Sequence, residues 1–229
     1  MSALIDTQIF GVIISILAYE VGLLIYRKTK IPIFNPLFIS IILVISVLLI
    51  FGIDLETYNK GGSMISFFLG PATVILAVPL YKQLESLKSN VIPILTGITA
   101  GSVTAVLSVL AFVKVLRLPK DIGLSLLPKS ITTPIGIELS KQIGGIPPLT
   151  VAAIVFTGIV GAVLGPLTCK VFRITDRLAV GVSIGTASHA VGTTKAAELG
   201  ELEGAMSGLA IGLAGIITVF ITLILIRFI

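Results

Sequence analysis

The chain has 229 residues, of which 55% are hydrophobic and 12% charged. That is about half the charge density of an average soluble domain, too little to cover a water-facing surface, and with a mean hydropathy of +1.14 it excludes an ordinary soluble globular protein. The formal net charge of +5 lies in short loops, where basic residues mark membrane topology and not nucleic-acid binding. A single cysteine, Cys169, excludes disulfide and Cys-based metal frameworks within one chain, and it reads as a small buried hydrophobe. No cofactor or metal is expected.

Long runs carry no Asp, Glu, Lys or Arg: Ile31 to Ile53, Gly61 to Tyr81, Ser89 to Val113, Gln142 to Cys169, Leu178 to Thr194 and Gly204 to Ile226. A helix needs about 20 largely apolar residues to cross the hydrocarbon, so the pattern predicts an all-α, polytopic membrane protein. Eight segments follow in chain order. The first spans about Thr7 to Tyr26, interrupted by Glu20, with no basic region before it of the kind a cleaved signal peptide carries. The second covers about Ile33 to Ile53. The third, about Met64 to Leu84, is broken by Pro71 and Pro79, and the fourth covers about Val91 to Val113. The fifth, about Ile122 to Gln142, is broken by Pro128 and Pro134. The sixth is about Leu149 to Thr168, the seventh, polar and glycine-rich, about Leu178 to Leu199, and the eighth Gly204 to Ile226. Glu198, Glu201 and Glu203 between the last two read as a solvated loop.

The pattern restarts near the middle. Gly70-Pro-Ala72-Thr73 aligns with Gly185-Thr-Ala187-Ser188 at an offset of 115 residues, and without a gap Leu84 meets Leu199 and Gly97 meets Gly212. Gly22 meets Gly136 at 114, and Pro36-Leu37 meets Pro148-Leu149 at 112. Internal duplication is a common signature of secondary transporters. One transmembrane domain, 1–229, is therefore expected to hold two repeats, about 7–116 and 120–229. The basic clusters Arg27-Lys28-Lys30, Lys114-Arg117-Lys120 and Lys170-Arg173-Arg177 constrain the arrangement. If all three are cytoplasmic, segments one, two, four, five, six and eight each cross once. Segments three and seven then enter and leave on one side or sit as broken helices. The result is two inverted repeats of three spanning helices plus one broken or re-entrant helix each. The alternative, with segments three and seven crossing fully, places the Lys114 cluster outside.

Three stretches break the rules for a lipid-facing helix: Gly70 to Lys82, Pro128-Lys-Ser-Ile-Thr-Thr-Pro134, and Gly185 to Lys195. Proline removes a backbone donor, and irregular backbone at membrane depth survives only inside protein or beside a wet cavity. Broken helices expose N-terminal amides that suit an anion, to which Lys129 or Lys195 would add full charge. The candidate residues for a small carboxylate are Lys129, Ser130, Thr132 and Thr133, facing Ser188, His189, Thr193 and Thr194, with Thr73 from the first half. His189, the only histidine, is the candidate for proton coupling. Tight helix packing with an interfacial lysine is the plainer reading of the same stretches. Gly97-x-x-x-Gly101, Gly161-x-x-x-Gly165, Gly204-x-x-x-Gly208 and Gly208-x-x-x-Gly212 read as close-packing faces, with a homodimer as a further use. Gly181-Val-Ser-Ile-Gly185 fits a hydrolase nucleophile elbow but lacks the strand–turn–helix setting that motif needs. No enzyme is expected.

Several of these stretches resemble one family. Phe68-Leu-Gly-Pro-Ala-Thr-Val74 with Pro79-Leu-Tyr81 is similar to the LrgB/CidB/YohK family. So are Leu127-Pro-Lys-Ser-Ile-Thr-Thr-Pro134 with Gly144-Gly-Ile-Pro147, and Gly185-Thr-Ala-Ser-His-Ala190 with Gly192-Thr193 and Glu203-Gly-Ala-Met-Ser-Gly-Leu-Ala210. The resemblance implies a multi-pass protein of the bacterial cytoplasmic membrane, described as antiholin-like, with a small holin-like LrgA/CidA partner and a link to murein hydrolase control and autolysis. A related plastid protein moves glycolate and glycerate, and some bacterial members are associated with pyruvate uptake. The expected function is secondary transport of a small monocarboxylate by alternating access. The alternative is an antiholin-like regulator acting through the LrgA/CidA-like partner.

Overall fold

The computed structural model describes residues 7–29, 34–68, 71, 74, 81 and 84–228. All regular structure among them is helical. The chain divides into two units, Met1–Ile75 and Leu76–Ile229.

The first unit holds α1 (Gln8–Thr29), α2 (Pro36–Phe51) and α3 (Leu55–Phe67). Asn35 starts α2 by accepting the Leu37 amide at 2.9 Å, and Gly52 ends it in the left-handed region at φ 60°. Helix α1 packs through its glycines. A Cβ on Gly22 would lie 2.6 Å from the Pro36 carbonyl, and one on Gly11 2.5 Å from that of Tyr58. Ser15 and Tyr58 share a 2.8 Å hydrogen bond across the same contact. Helix α3 begins nine residues before the third predicted segment. Its Glu56 and Lys60 hide it from a search for uncharged runs.

The second unit begins with α4 (Leu84–Ser89) and α5 (Val91–Leu116). The fifth predicted segment becomes α6 (Lys120–Leu126), a 3-10 turn (Leu127–Ser130) and α7 (Thr133–Ile143). Then come α8 (Pro147–Val171), α9 (Arg177–Leu199) and α10 (Glu201–Leu225), with a final 3-10 turn at Ile226–Phe228. Helices α1, α5, α8 and α10 are each long and apolar enough to cross a membrane, and α2 is a shorter apolar helix. The protein is therefore an all-α, polytopic membrane protein, with four long apolar helices among the described residues.

Among the described residues two segments reverse direction. A straight helix over the 23 residues of α9 would be about 34 Å long. Instead, Arg177 at its start and Glu203, just past its end, form a two-pronged ion pair, Nε–Oε1 and Nη2–Oε2 both 2.8 Å. The turn lies at His189, whose φ of 43° and ψ of −139° depart from helix. Helix α10 fills the side of this hairpin: a Cβ on Gly181 would lie 2.5 Å from the Glu203 carbonyl, and one on Gly204 2.9 Å from Ala197 Cα. The charge that sequence reading left in a solvated loop thus closes the feet of the hairpin, with Glu203 buried at 7% exposure. The motif resembling a nucleophile elbow lies wholly inside the first limb of α9.

The fifth segment also folds back, which corrects the expectation that it crosses once. Ser125 Oγ accepts the Ile146 amide at 2.7 Å. Thr150 Oγ1 donates to the Ser125 carbonyl at 2.9 Å and lies 2.7 Å from Ser140 Oγ. Residues so far apart in sequence meet only if the chain doubles back between them. Pro128 and Pro134, which cannot continue a preceding helix, put the bend there, and Gly144 ends α7 at φ 83°.

The hairpins approach from opposite ends of α8. The feet of the first touch Ile146 and Thr150, and the tip of the second reaches Gly158 and Gly161. The basic clusters cannot all share one side, contrary to the arrangement with all three cytoplasmic. The Lys114–Lys120 and Lys170–Arg177 clusters lie at opposite ends of α8 and cannot both be cytoplasmic if that helix spans, because the fifth segment adds no crossing. Two apolar clusters close the unit, Val109, Val113, Leu127 and Leu139 at one end and Ile94, Ile98, Met206 and Ala210 at the other.

Candidate functional site

The two hairpin tips meet along the middle of α8. On the first hairpin, a Cβ on Gly136 would contact Ile154 Cδ1, while on the second, His189 Nε2 lies 2.9 Å from the Ile154 carbonyl. A carbonyl can only accept, so Nε2 carries the proton and Nδ1 is left as the acceptor. His189 is 3% exposed and within electrostatic range of Lys129.

Lys129 stands in the 3-10 turn at the first tip and is half-buried. Its Nζ donates to Ser130 Oγ at 3.2 Å and has no carboxylate partner among the described residues. Lys195, the other cation proposed from sequence, is ion-paired to Glu198 at 2.7 Å. Thr132 is the N-cap residue of α7, its hydroxyl making no cap bond, and Thr133 is the first helical residue. The free amides of that helix end are at the tip beside Lys129.

The hydroxyls of the remaining candidates on α9 bond within that segment or to α10. Ser188 Oγ donates to the Ile184 carbonyl at 2.6 Å. Thr193 Oγ1 lies 2.7 Å from Ser207 Oγ on α10 and bonds the His189 carbonyl at 3.1 Å. Thr194 is exposed and bonded to the Val191 carbonyl. Thr73, and most of the Gly70 to Lys82 stretch, lies outside the described residues.

A cavity of about 720 Å³ lies between α5 and the first limb of α9. Lys129 and Ser130 line it, as do Thr104, Ser108, Ser183 and Thr186, which sequence reasoning missed. Their signal was present: Gly97, Gly101, Thr104, Ala105 and Ser108 recur at helical spacing on one stripe of α5. Among the described residues no group of His, Cys, Asp and Glu comes together to hold a metal.

The LrgB-like family model matches residues 15–228. The chain belongs to the LrgB family. It is 40% identical over 216 residues to proteins named Antiholin-like protein LrgB from Bacillus cereus (strain B4264) and Bacillus anthracis (strain A0248), covering 94% of this chain and 94% of each relative. No solved structure matches it. As a member of this family the chain is a multi-pass protein of the bacterial cytoplasmic membrane, resident in the lipid bilayer, and not an enzyme. All three stretches carrying the sequence resemblance fall within the matched residues.

Proposed function

We propose that this chain has the antiholin-like role for which its relatives are named. It would restrain murein hydrolase activity and autolysis through a small LrgA/CidA-like membrane partner. The observation that carries this reading is the 40% identity over 94% of both chains with proteins so named. Deleting the gene is expected to speed detergent-induced lysis and raise murein hydrolase activity on zymograms, and re-expression to reverse both. A deletion strain that lyses at the parental rate would overturn it.

A second reading is secondary transport of a small monocarboxylate, of the pyruvate, glycolate or lactate class. It is favoured by the Lys129 ammonium at a hairpin tip within the span, which has no carboxylate partner among the described residues, at a depth where an ionisable group is costly and commonly functional. Lys129, Ser130, Thr132 and Thr133 would hold the carboxylate with the amides starting α7. Ser188, His189, Thr193 and Thr194 would form the opposing side, with Thr73 as the candidate from the first repeat, and His189 Nδ1 would take up a coupling proton. Movement of one repeat, about 7–116, against the other, about 120–229, would alternate access. The 115-residue offset supports an internal duplication, while the second half, with two spanning helices and two hairpins, lacks the three crossings on which the inverted arrangement rested. The Gly208-x-x-x-Gly212 stripe is the candidate homodimer face. The two roles coexist if carboxylate flux alters lysis indirectly. Proteoliposomes holding the chain are expected to take up labelled pyruvate saturably, with Lys129→Ala lowering uptake about tenfold or more. Absence of saturable uptake, with and without the partner, would end this reading.

A further inference from the structure

The cavity is far larger than the acids named above. A water takes about 30 Å³ of liquid volume. A three-carbon acid displaces only a few waters and leaves most of the 720 Å³ unfilled.

Its polarity is also unevenly placed. At the inner end stand Lys129 and Ser130, and at the outer end Asn90 and Asp176. The hydroxyls between them are turned into their own helices. Thr104 donates to the Ala100 carbonyl at 2.7 Å, Ser108 to Ala105 at 2.7 Å, Ser183 to Val180 at 3.0 Å and Thr186 to Val182 at 2.7 Å. The remaining wall is apolar, with Pro93, Ile94, Leu178 and Val182 among its members. Ligand sites of about 300–1,000 Å³ typically combine an apolar body with a few placed polar groups, and this one has that form.

We propose that this cavity binds a monocarboxylate with an extended or branched apolar body, its carboxylate on Lys129 and Ser130 and its body between α5 and the first limb of α9. The proposal rests on the small-anion reading above and narrows its substrate class. Lys129 is the one cation among the described lining residues. The carboxylate at the far end belongs to Asp176, held there by the Ala179 amide at 2.8 Å. A second carboxylate on the ligand would therefore meet no cation and would face Asp176. The site selects for one charge and for apolar length.

The test uses the full chain in nanodiscs, with empty nanodiscs as the blank, and radiolabelled hexanoate, propionate, adipate and pyruvate in equilibrium dialysis. Hexanoate is expected to bind about tenfold or more tightly than propionate, the direction set by burying extra methylenes, and about tenfold or more tightly than the diacid adipate. Lys129→Gln is expected to abolish hexanoate binding. Gly97→Leu fills the middle of the cavity, where a Cβ sits 3.8 Å from Val182 Cγ1. It is expected to weaken hexanoate and spare propionate. Lys129-dependent binding of pyruvate and propionate as tight as that of hexanoate would overturn the proposal and leave the small-anion reading standing. Absence of Lys129-dependent binding of any acid would overturn both. Hexanoate binding that survives Lys129→Gln would overturn the proposal as partition into apolar space.

Discussion

His189 combines two features that oppose each other. Its φ of 43° and ψ of −139° are unfavourable for a residue with a Cβ, a conformation costing on the order of 1–3 kcal/mol. Its ring returns part of that through the 2.9 Å bond to the Ile154 carbonyl. Two substitutions separate these effects. His189→Ala loses the bond and keeps the backbone cost, whereas His189→Gly loses the bond and relieves the backbone. Thermal unfolding in detergent is expected to place the glycine variant about 1 kcal/mol above the alanine variant. The opposite order would show that the chain does not reverse in this conformation. The same residue carried the proton-coupling expectation because it is the only histidine. Nothing in the sequence marks it as the point of reversal, since a positive φ is recognisable in advance mainly at glycine.

At the level of elements, α8 and α9 are matched by small residues. A Cβ on Gly161 would run into Ser188 Cβ, and one on Gly158 would lie 2.6 Å from His189 Cε1. These glycines let the second tip approach the α8 backbone, which puts Gly161-x-x-x-Gly165 to use inside the chain. Gly161→Val is therefore expected to reduce the yield of folded protein several-fold in size-exclusion profiles. Gly212 supplies the contrast, because nothing lies within 4 Å of a Cβ there. Gly212→Ala is expected to be neutral or to stabilise by up to about 1 kcal/mol, the helix-propensity gain. A Gly161 variant as well folded as the Gly212 variant would refute this contact. The glycine spacing was visible in the sequence, but which faces meet was not. Gly97, Gly161 and Gly212 all sit in small-residue stripes of similar appearance, and only their neighbours distinguish them.

At the largest scale, the two reversals among the described residues set the topology of the second unit. Cysteines placed at Lys120 and Lys141 in a Cys169→Ser background are expected to react with an impermeant maleimide from one side of the membrane. Cysteines at Arg173 and Glu201 are expected to react from the other. Labelling of the Lys120 and Lys141 positions from opposite sides would mean that the fifth segment crosses after all. Composition and uncharged runs were enough to establish a polytopic helical protein, because burial in lipid is a property of each helix taken alone. The breaks were also legible: Pro128, Pro134 and the polar stretch ending at Lys195 mark where a helix cannot continue unaided. Their outcome depended on distant partners. Ser125 finding Ile146, and Arg177 finding Glu203, turn two interrupted helices into hairpins. A local interruption is compatible with a kink, a crossing or a return, and the bonds formed across the fold select among them. Lys129 was a candidate cation from sequence. Its place as the one cation among the described residues of a largely apolar cavity was decided by packing alone, since the wall opposite it comes from helices 20 to 60 residues away in the chain.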